Sequence, residues 1–130
     1  VSVTLDEMRR RIQETTQAYP WLVCEDDDVV VGYCYAHKWK ERSAYRHSVE
    51  ISIYLDRSTV GQGRGSALLD ALLSELRGRK FHCAIGGTLV PNPASIALLE
   101  KFGFRPIAHF KEVGYKFNRW IDVGYWQLML

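Results

Sequence analysis

One carboxylate, Glu50, stands in the middle of an alternating run, Ser48-Val-Glu-Ile-Ser-Ile-Tyr-Leu55. A carboxylate held on a strand needs water, a partner or a proton. Turned toward a ligand cleft, it would serve as a general base; turned outward, it belongs to a solvated sheet face. The pattern leaves both open. Just beyond, residues 60–65 read Val-Gly-Gln-Gly-Arg-Gly, and a helical pattern starts at Ser66. Alternating Gly61, Gly63 and Gly65 let the backbone turn tightly and approach a ligand closely. A glycine turn that opens a helix presents free N–H groups and a positive dipole end, which suit a phosphate. A plain strand-to-helix turn is the alternative. No Gly-Lys-Ser/Thr follows, which speaks against a nucleoside-triphosphate loop.

Lys40, Arg42, Tyr45 and Arg46 precede the Glu50 strand. Such a group can clamp an anionic substrate through charge-assisted hydrogen bonds, or it can form an ordinary solvated loop. Asn92 and Ser95 stand at a helix start, where capping is the default role. Tyr115, Phe117, Trp120, Tyr125 and Trp126 read as core and pocket wall rather than as a platform for stacked bases.

The elements that must position these groups follow from periodicity and turn chemistry. Thr4 or Asp6 caps a first helix with Leu5, Met8, Ile12 and Gln13 on its inner side, and Pro20 closes that region. Residues 21–25 and 29–36 read as a hairpin around Asp26, Asp27 and Asp28. Residues 37–44 read as a loop. Residues 45–55 read as a strand, with Val49, Ile51, Ile53 and Leu55 on one face and Ser48, Glu50, Ser52 and Tyr54 on the other. A helix to about 77, a strand over 81–86 and a short helix from Pro91 to Lys101, stopped by Gly103, come next. Strands over 104–117 and 120–130 meet at a turn near Asn118 and Arg119. The order implies one α/β (α+β) domain with a mixed sheet.

The totals exclude several classes. At 130 residues, 47% hydrophobic and 25% charged, the chain has ordinary globular composition. A net charge of +2 does not call for a nucleic-acid or membrane partner. Cys24, Cys34 and Cys83 are odd in number, with no Cys-x-x-Cys spacing, and read as reduced, mostly buried thiols of a cytoplasmic protein. His37, His47, His82 and His109 lack metal-ligand spacing, so no metal is expected. No apolar run reaches membrane-spanning length and no secretion signal is present.

The glycine turn between strand and helix resembles the acyl-CoA pyrophosphate loop of GNAT-type N-acetyltransferases. A likeness to the phosphinothricin N-acetyltransferase group runs over nearly the whole chain. It is carried by Tyr19-Pro-Trp-Leu-Val23, Trp39-Lys-Glu-Arg-Ser-Ala-Tyr45, Val49-Glu-Ile-Ser-Ile-Tyr54, Pro91-Asn-Pro-Ala-Ser95, Phe102-Gly-Phe104, Gly114-Tyr-Lys-Phe117 and Trp120-Ile-Asp-Val-Gly-Tyr-Trp-Gln127.

The resemblance implies a GNAT-like, mostly antiparallel sheet flanked by helices, acting as a homodimer. It implies acetyl-CoA as cosubstrate in a cleft where the sheet splays. Contacts would come from Ile53, Tyr54, Leu55, Val60, Gly61, Gln62, Gly63, Arg64, Gly65, Ser66, Asn92 and Ser95, with Asn92 on the pantetheine arm. Glu50 takes the general-base position, and a backbone N–H near Gly86 and Gly87 polarises the thioester carbonyl. Lys40, Arg42, Tyr45, Ser52, Tyr54 and Val123 would bind a glutamate-like substrate such as phosphinothricin, methionine sulfoximine or methionine sulfone.

Three departures stand out. Val60 replaces the usual Gln or Arg that opens the turn, and Leu99 replaces a His or Tyr able to protonate the leaving thiolate. The resemblance also implies a leading strand and helix that the numbered residues do not show, their first helix matching the family's second, so that either a partner subunit fills that place or the segment lies outside the numbered chain. The departures keep a second reading in view, a non-catalytic acyl-CoA-binding or sensing domain.

Overall fold

The computed structural model describes residues 3–4, 18–56 and 63–130. The first helix, with Leu5, Asp6, Met8, Ile12 and Gln13, lies outside the described residues, as do Val60, Gly61 and Gln62. Ahead of that region β1 (Val3–Thr4) bridges to Val30 and Val29, a short pairing the sequence did not announce.

β2 (Trp21–Asp26) and β3 (Val29–Lys38) form the expected hairpin. Asp26 pairs with Val29, so Asp27 and Asp28 make a two-residue loop at φ 50° and 64°. Such a turn matches the twist of its strands, and aspartate tolerates the left-handed backbone. β3 outruns its expected end: His37 and Lys38 pair with Glu50 and Val49. Polar residues that look like loop are drafted into a ladder when a partner strand is beside them.

β4 is Ser48–Leu55, three residues shorter at its start than expected. Tyr45 belongs instead to a 3₁₀ turn, Ser43–Tyr45. Tyr45 N donates to Arg42 O at 3.0 Å, and the Arg46 guanidinium donates to Ser43 O at 2.8 Å. The loop satisfies its own backbone there, which removes the reason to join the sheet.

Helix α1 (Arg64–Gly78) buries Leu68, Leu69, Leu72, Leu73 and Leu76 along one stripe. β5 (Cys83–Val90) runs four residues past Gly86, because β7 offers partners as far as Val90 opposite Asp122. In α2 (Pro93–Lys101), Ser95 N donates to the Asn92 side chain at 3.4 Å, and Pro93 opens the first turn. Gly103, at φ 92°, turns the chain out of the helix. β6 (Arg105–Lys116) and β7 (Arg119–Met129) complete the sheet.

The seven described strands order as β1-β3-β4-β5-β7-β6, with β2 on β3. All pairs are antiparallel except β4 with β5. The core lies on one face, where Cys34, Ala36, Val49, Ile51, Ala84 and Trp126 meet the α1 leucines, Leu99 and Phe104. Burial pushes the Cys34 thiol up to about 12, so it stays protonated and donates to Leu68 O at 3.5 Å. Cys24, Cys34 and Cys83 are all free thiols.

The late aromatics meet the expectation of core and pocket wall only in part. Trp126 is buried, but Tyr115, Phe117 and Trp120 are 59%, 85% and 62% exposed. The pairing of β5 with β7 ends at Asp122, so residues 113–121 project as a two-stranded ribbon. A three-residue bulge at its base is held by Asp122, whose carboxylate accepts from His109 Nε2 at 2.8 Å and Glu112 N at 2.9 Å. Those two bonds, His109 first, keep the Asp122 carboxyl below the usual carboxylate range.

Candidate active site in a split of the sheet

β4 and β5 pair over four register positions only, from Ser48 opposite Cys83 to Ile51 opposite Gly86. Each strand continues four residues further without the other, β4 held by β3 and β5 by β7. The facing edges therefore diverge, and their backbone groups are released from the ladder into a cleft of about 660 Å³. Glu50, Ser52, Ile53 and Tyr54 line one wall, Gly86, Gly87, Thr88 and Leu89 the other.

Register assigns the faces of this slot. Residues paired across strands share a face. Glu50, Ser52 and Tyr54 therefore lie with Ile85, Gly87 and Leu89, and with Tyr125 and Val123 of β7, on the face away from α1. Ile51, Ile53 and Leu55 turn to the helix face, where Asn92, Ser95 and Leu99 of α2 close the cleft. The Tyr125 ring lies across Gly87, its Cε1 2.9 Å from where a Cβ would stand, so a side chain at that strand position would have to displace the ring.

From Glu50 the slot continues past Ile53, Tyr54 and Leu55 into a depression of about 460 Å³ shared with Asn92, Ala94, Ser95 and Leu98. Leu55 and Leu98 both reach Gly65 in the first turn of α1, at 3.0 and 3.4 Å from its Cβ position. Five steps along the strand, from Glu50 to Leu55, cover about 17 Å at roughly 3.3 Å per residue. α1 begins at Arg64 behind Gly63, which sits in the left-handed region at φ 77° and supplies no side-chain cap. The first N–H groups of α1 have no partner within the helix. Lys101 Nζ donates to Ser66 Oγ at 2.9 Å, which brings an ammonium to the same turn.

The expected site residues thus divide. Glu50, Ser52, Ile53, Tyr54, Asn92, Ser95 and Val123 line the cleft, Leu55 its extension, and Gly63, Arg64, Gly65 and Ser66 the helix start beyond. Lys40, Arg42 and Tyr45 line a separate depression of about 450 Å³ with Trp39 and Glu41. It borders the cleft through Trp39, whose ring meets that of Tyr125 edge-on at 6.2 Å. Tyr125 lines the cleft as the pocket-wall reading expected, whereas the sequence reading passed over Lys116 as a cleft residue and Lys101 near the helix start. The only signal for Tyr125 was the aromatic run around it. Lys116 and Lys101 carried none, because their positions depend on a hairpin and on a helix-to-helix contact.

Among the described residues, no group of His, Cys, Asp and Glu could hold a metal ion, and no helix is long and apolar enough to cross a membrane. The cleft instead offers a carboxylate, freed strand amides and a long apolar slot leading to a helix N-terminus.

Known proteins match this arrangement. Residues 1–124 match the family model described as Acetyltransferase (GNAT) domain. The L-amino acid N-acyltransferase MnaT of Escherichia coli is 38% identical over 89% of this chain and 67% of its own length. The L-methionine sulfoximine/L-methionine sulfone acetyltransferase of Salmonella typhimurium is 38% identical over 86% of this chain and 66% of its own. The chain thus spans about two thirds of these curated relatives. A phosphinothricin acetyltransferase from Sinorhizobium meliloti, solved with acetyl-CoA, superposes with a TM-score of 0.87 at 37% identity, over 96% of this chain and 69% of its own. Split sheet, helix start and family match agree: the chain belongs to the GNAT acetyltransferase family.

Proposed function

We propose that residues 1–130 form one acetyltransferase domain that moves the acetyl group of acetyl-CoA to the α-amine of a small amino acid or analogue. Phosphinothricin, methionine sulfoximine and methionine sulfone are the substrates its relatives' names suggest. One observation carries the reading: Glu50 opens onto the same groove that ends at the first turn of α1. A pantetheine arm has to cross just such a span between its thioester and its diphosphate.

In this reading the amides of residues 61–65 hold the diphosphate, and Ile53, Leu55, Asn92 and Ser95 guide the arm. The amine substrate enters from the opposite face, beside Ser52, Tyr54 and Val123, with Lys40, Arg42 and Tyr45 drawing its acid groups. Glu50 takes a proton from the ammonium, and the neutral amine attacks the thioester carbonyl. A freed amide at Gly86–Gly87 polarises that carbonyl. No enzyme-bound acyl intermediate is needed, because holding amine and thioester together supplies much of the rate. Leu99 offers no proton to the leaving group, and a CoA thiol is acidic enough to depart as thiolate.

The exposed β6–β7 ribbon supports a homodimer, and three unpaired thiols suit the reducing cytoplasm. The test is release of free CoA from acetyl-CoA with a panel of amino acids and amines. Turnover with the methionine sulfone or phosphinothricin type is the expected result. CoA binding without release across the panel would favour a sensing domain instead.

A further inference from the structure

We infer that His37 is a proton relay for Glu50, a positioning of charge chemistry that rests on the base role proposed above. Glu50 gains a proton in each turnover and must lose it before the next. In this cleft α2 provides no route to the leaving sulfur, because Leu99 packs on Gly86 with Cδ2 3.1 Å from its Cβ position. The route that remains within the sheet runs along β4's other neighbour, and that neighbour is β3.

His37 is the direct cross-strand partner of Glu50. Paired residues project from the same face with Cβ atoms about 4.5–5.5 Å apart, close enough for transfer after a rotamer change or through one water. The imidazole is oriented for the task. His37 Nδ1 lies 3.2 Å from the carbonyl oxygen of Lys38, which can only accept, so Nδ1 carries the hydrogen. In the neutral ring Nε2 then holds the lone pair and can accept.

The surroundings complete the case. His37 is half-buried and ends an aromatic row on the same face: Trp21 stacks on Tyr35 at 4.3 Å, and Tyr35 meets His37 at 5.8 Å. Glu50 from β4 and Tyr35 from β3 flank it on this face. Lys38 turns to Glu41, 3.4 Å away, and β5 presents apolar Ile85 beyond Glu50. The steps balance. The ammonium proton passes to the Glu50 carboxylate and then from the carboxyl to Nε2. The imidazolium releases it to solvent, which restores both groups.

The test measures kcat of His37→Ala and His37→Gln in dilute, non-transferring buffer and then with rising imidazole at fixed pH, with Glu50→Gln in parallel. A relay one step from the reacting atoms is worth less than the roughly 10²–10⁴-fold of a direct acceptor, so kcat should fall about tenfold. Imidazole should restore His37→Ala toward wild type, with KM for acetyl-CoA unchanged. Wild-type kcat in both variants would overturn the relay, and so would a loss that imidazole cannot repair. If Glu50→Gln loses turnover while the His37 variants do not, only the relay fails. If Glu50→Gln keeps it, the base assignment fails.

Discussion

Lys101 and Ser66 lie 35 positions apart in sequence, yet the ammonium donates to the hydroxyl at 2.9 Å in the first turn of α1. Relatives of this chain are expected to open the glycine turn with a polar side chain, where this one has Val60. A cation from the last turn of α2 supplies charge at the same end of the groove. Replacing Lys101 with Met is expected to raise KM for acetyl-CoA about fivefold, as for roughly 1 kcal/mol from an exposed charge, with kcat unchanged. Acetyl-pantetheine, which lacks the diphosphate, should show no change. An equal rise for both donors would mean that Lys101 only ties the two helices together. At this scale the sequence was readable where a role follows from the local backbone. Asn92 caps α2 as its type predicts, while alternation gave the face of Glu50 but left open whether that face met a cleft, which it does. Lys101 and His37 were illegible, since a cross-strand partner or a helix-to-helix contact is a property of the folded chain.

The elements divide along the same line. Periodicity located β4 and α1, and turn residues located the β2–β3 hairpin and α2. Strand lengths were misjudged where neighbours decide them. β5 extends to Val90 because β7 pairs with it, and the 113–121 ribbon stands free because β5 ends at Val90, opposite Asp122. An alternating aromatic strand reads as half-buried in sequence whether or not a second layer covers it. Phe117 at 85% exposed and Trp120 at 62% are costly to leave in water, and a second copy of the chain is the proposed cover. Changing both to Ser is expected to turn a dimer into a monomer in light scattering while far-ultraviolet dichroism stays unchanged. A wild-type chain that is monomeric at high concentration would remove the ribbon's proposed role.

For the molecule as a whole, the proposed function rests on a sheet that is incomplete in its middle. Parallel pairing stops at Ile51 and Gly86, and the two strands part around a slot open to both faces. In the proposed reaction donor and acceptor approach from opposite sides, with the helix layer guiding one and the bare face the other. The glycines at 86 and 87 were visible in the sequence, but the point where the ladder ends was not. It depends on β3 and β7 holding the outer edges while α2 fills the gap. The account stands or falls on the carboxylate in that slot. The most direct measurement is kcat for CoA release by Glu50→Gln, with KM for acetyl-CoA measured alongside. Loss of a general base predicts a fall of about 100-fold or more with the donor KM nearly unchanged. A kcat equal to wild type would contradict it.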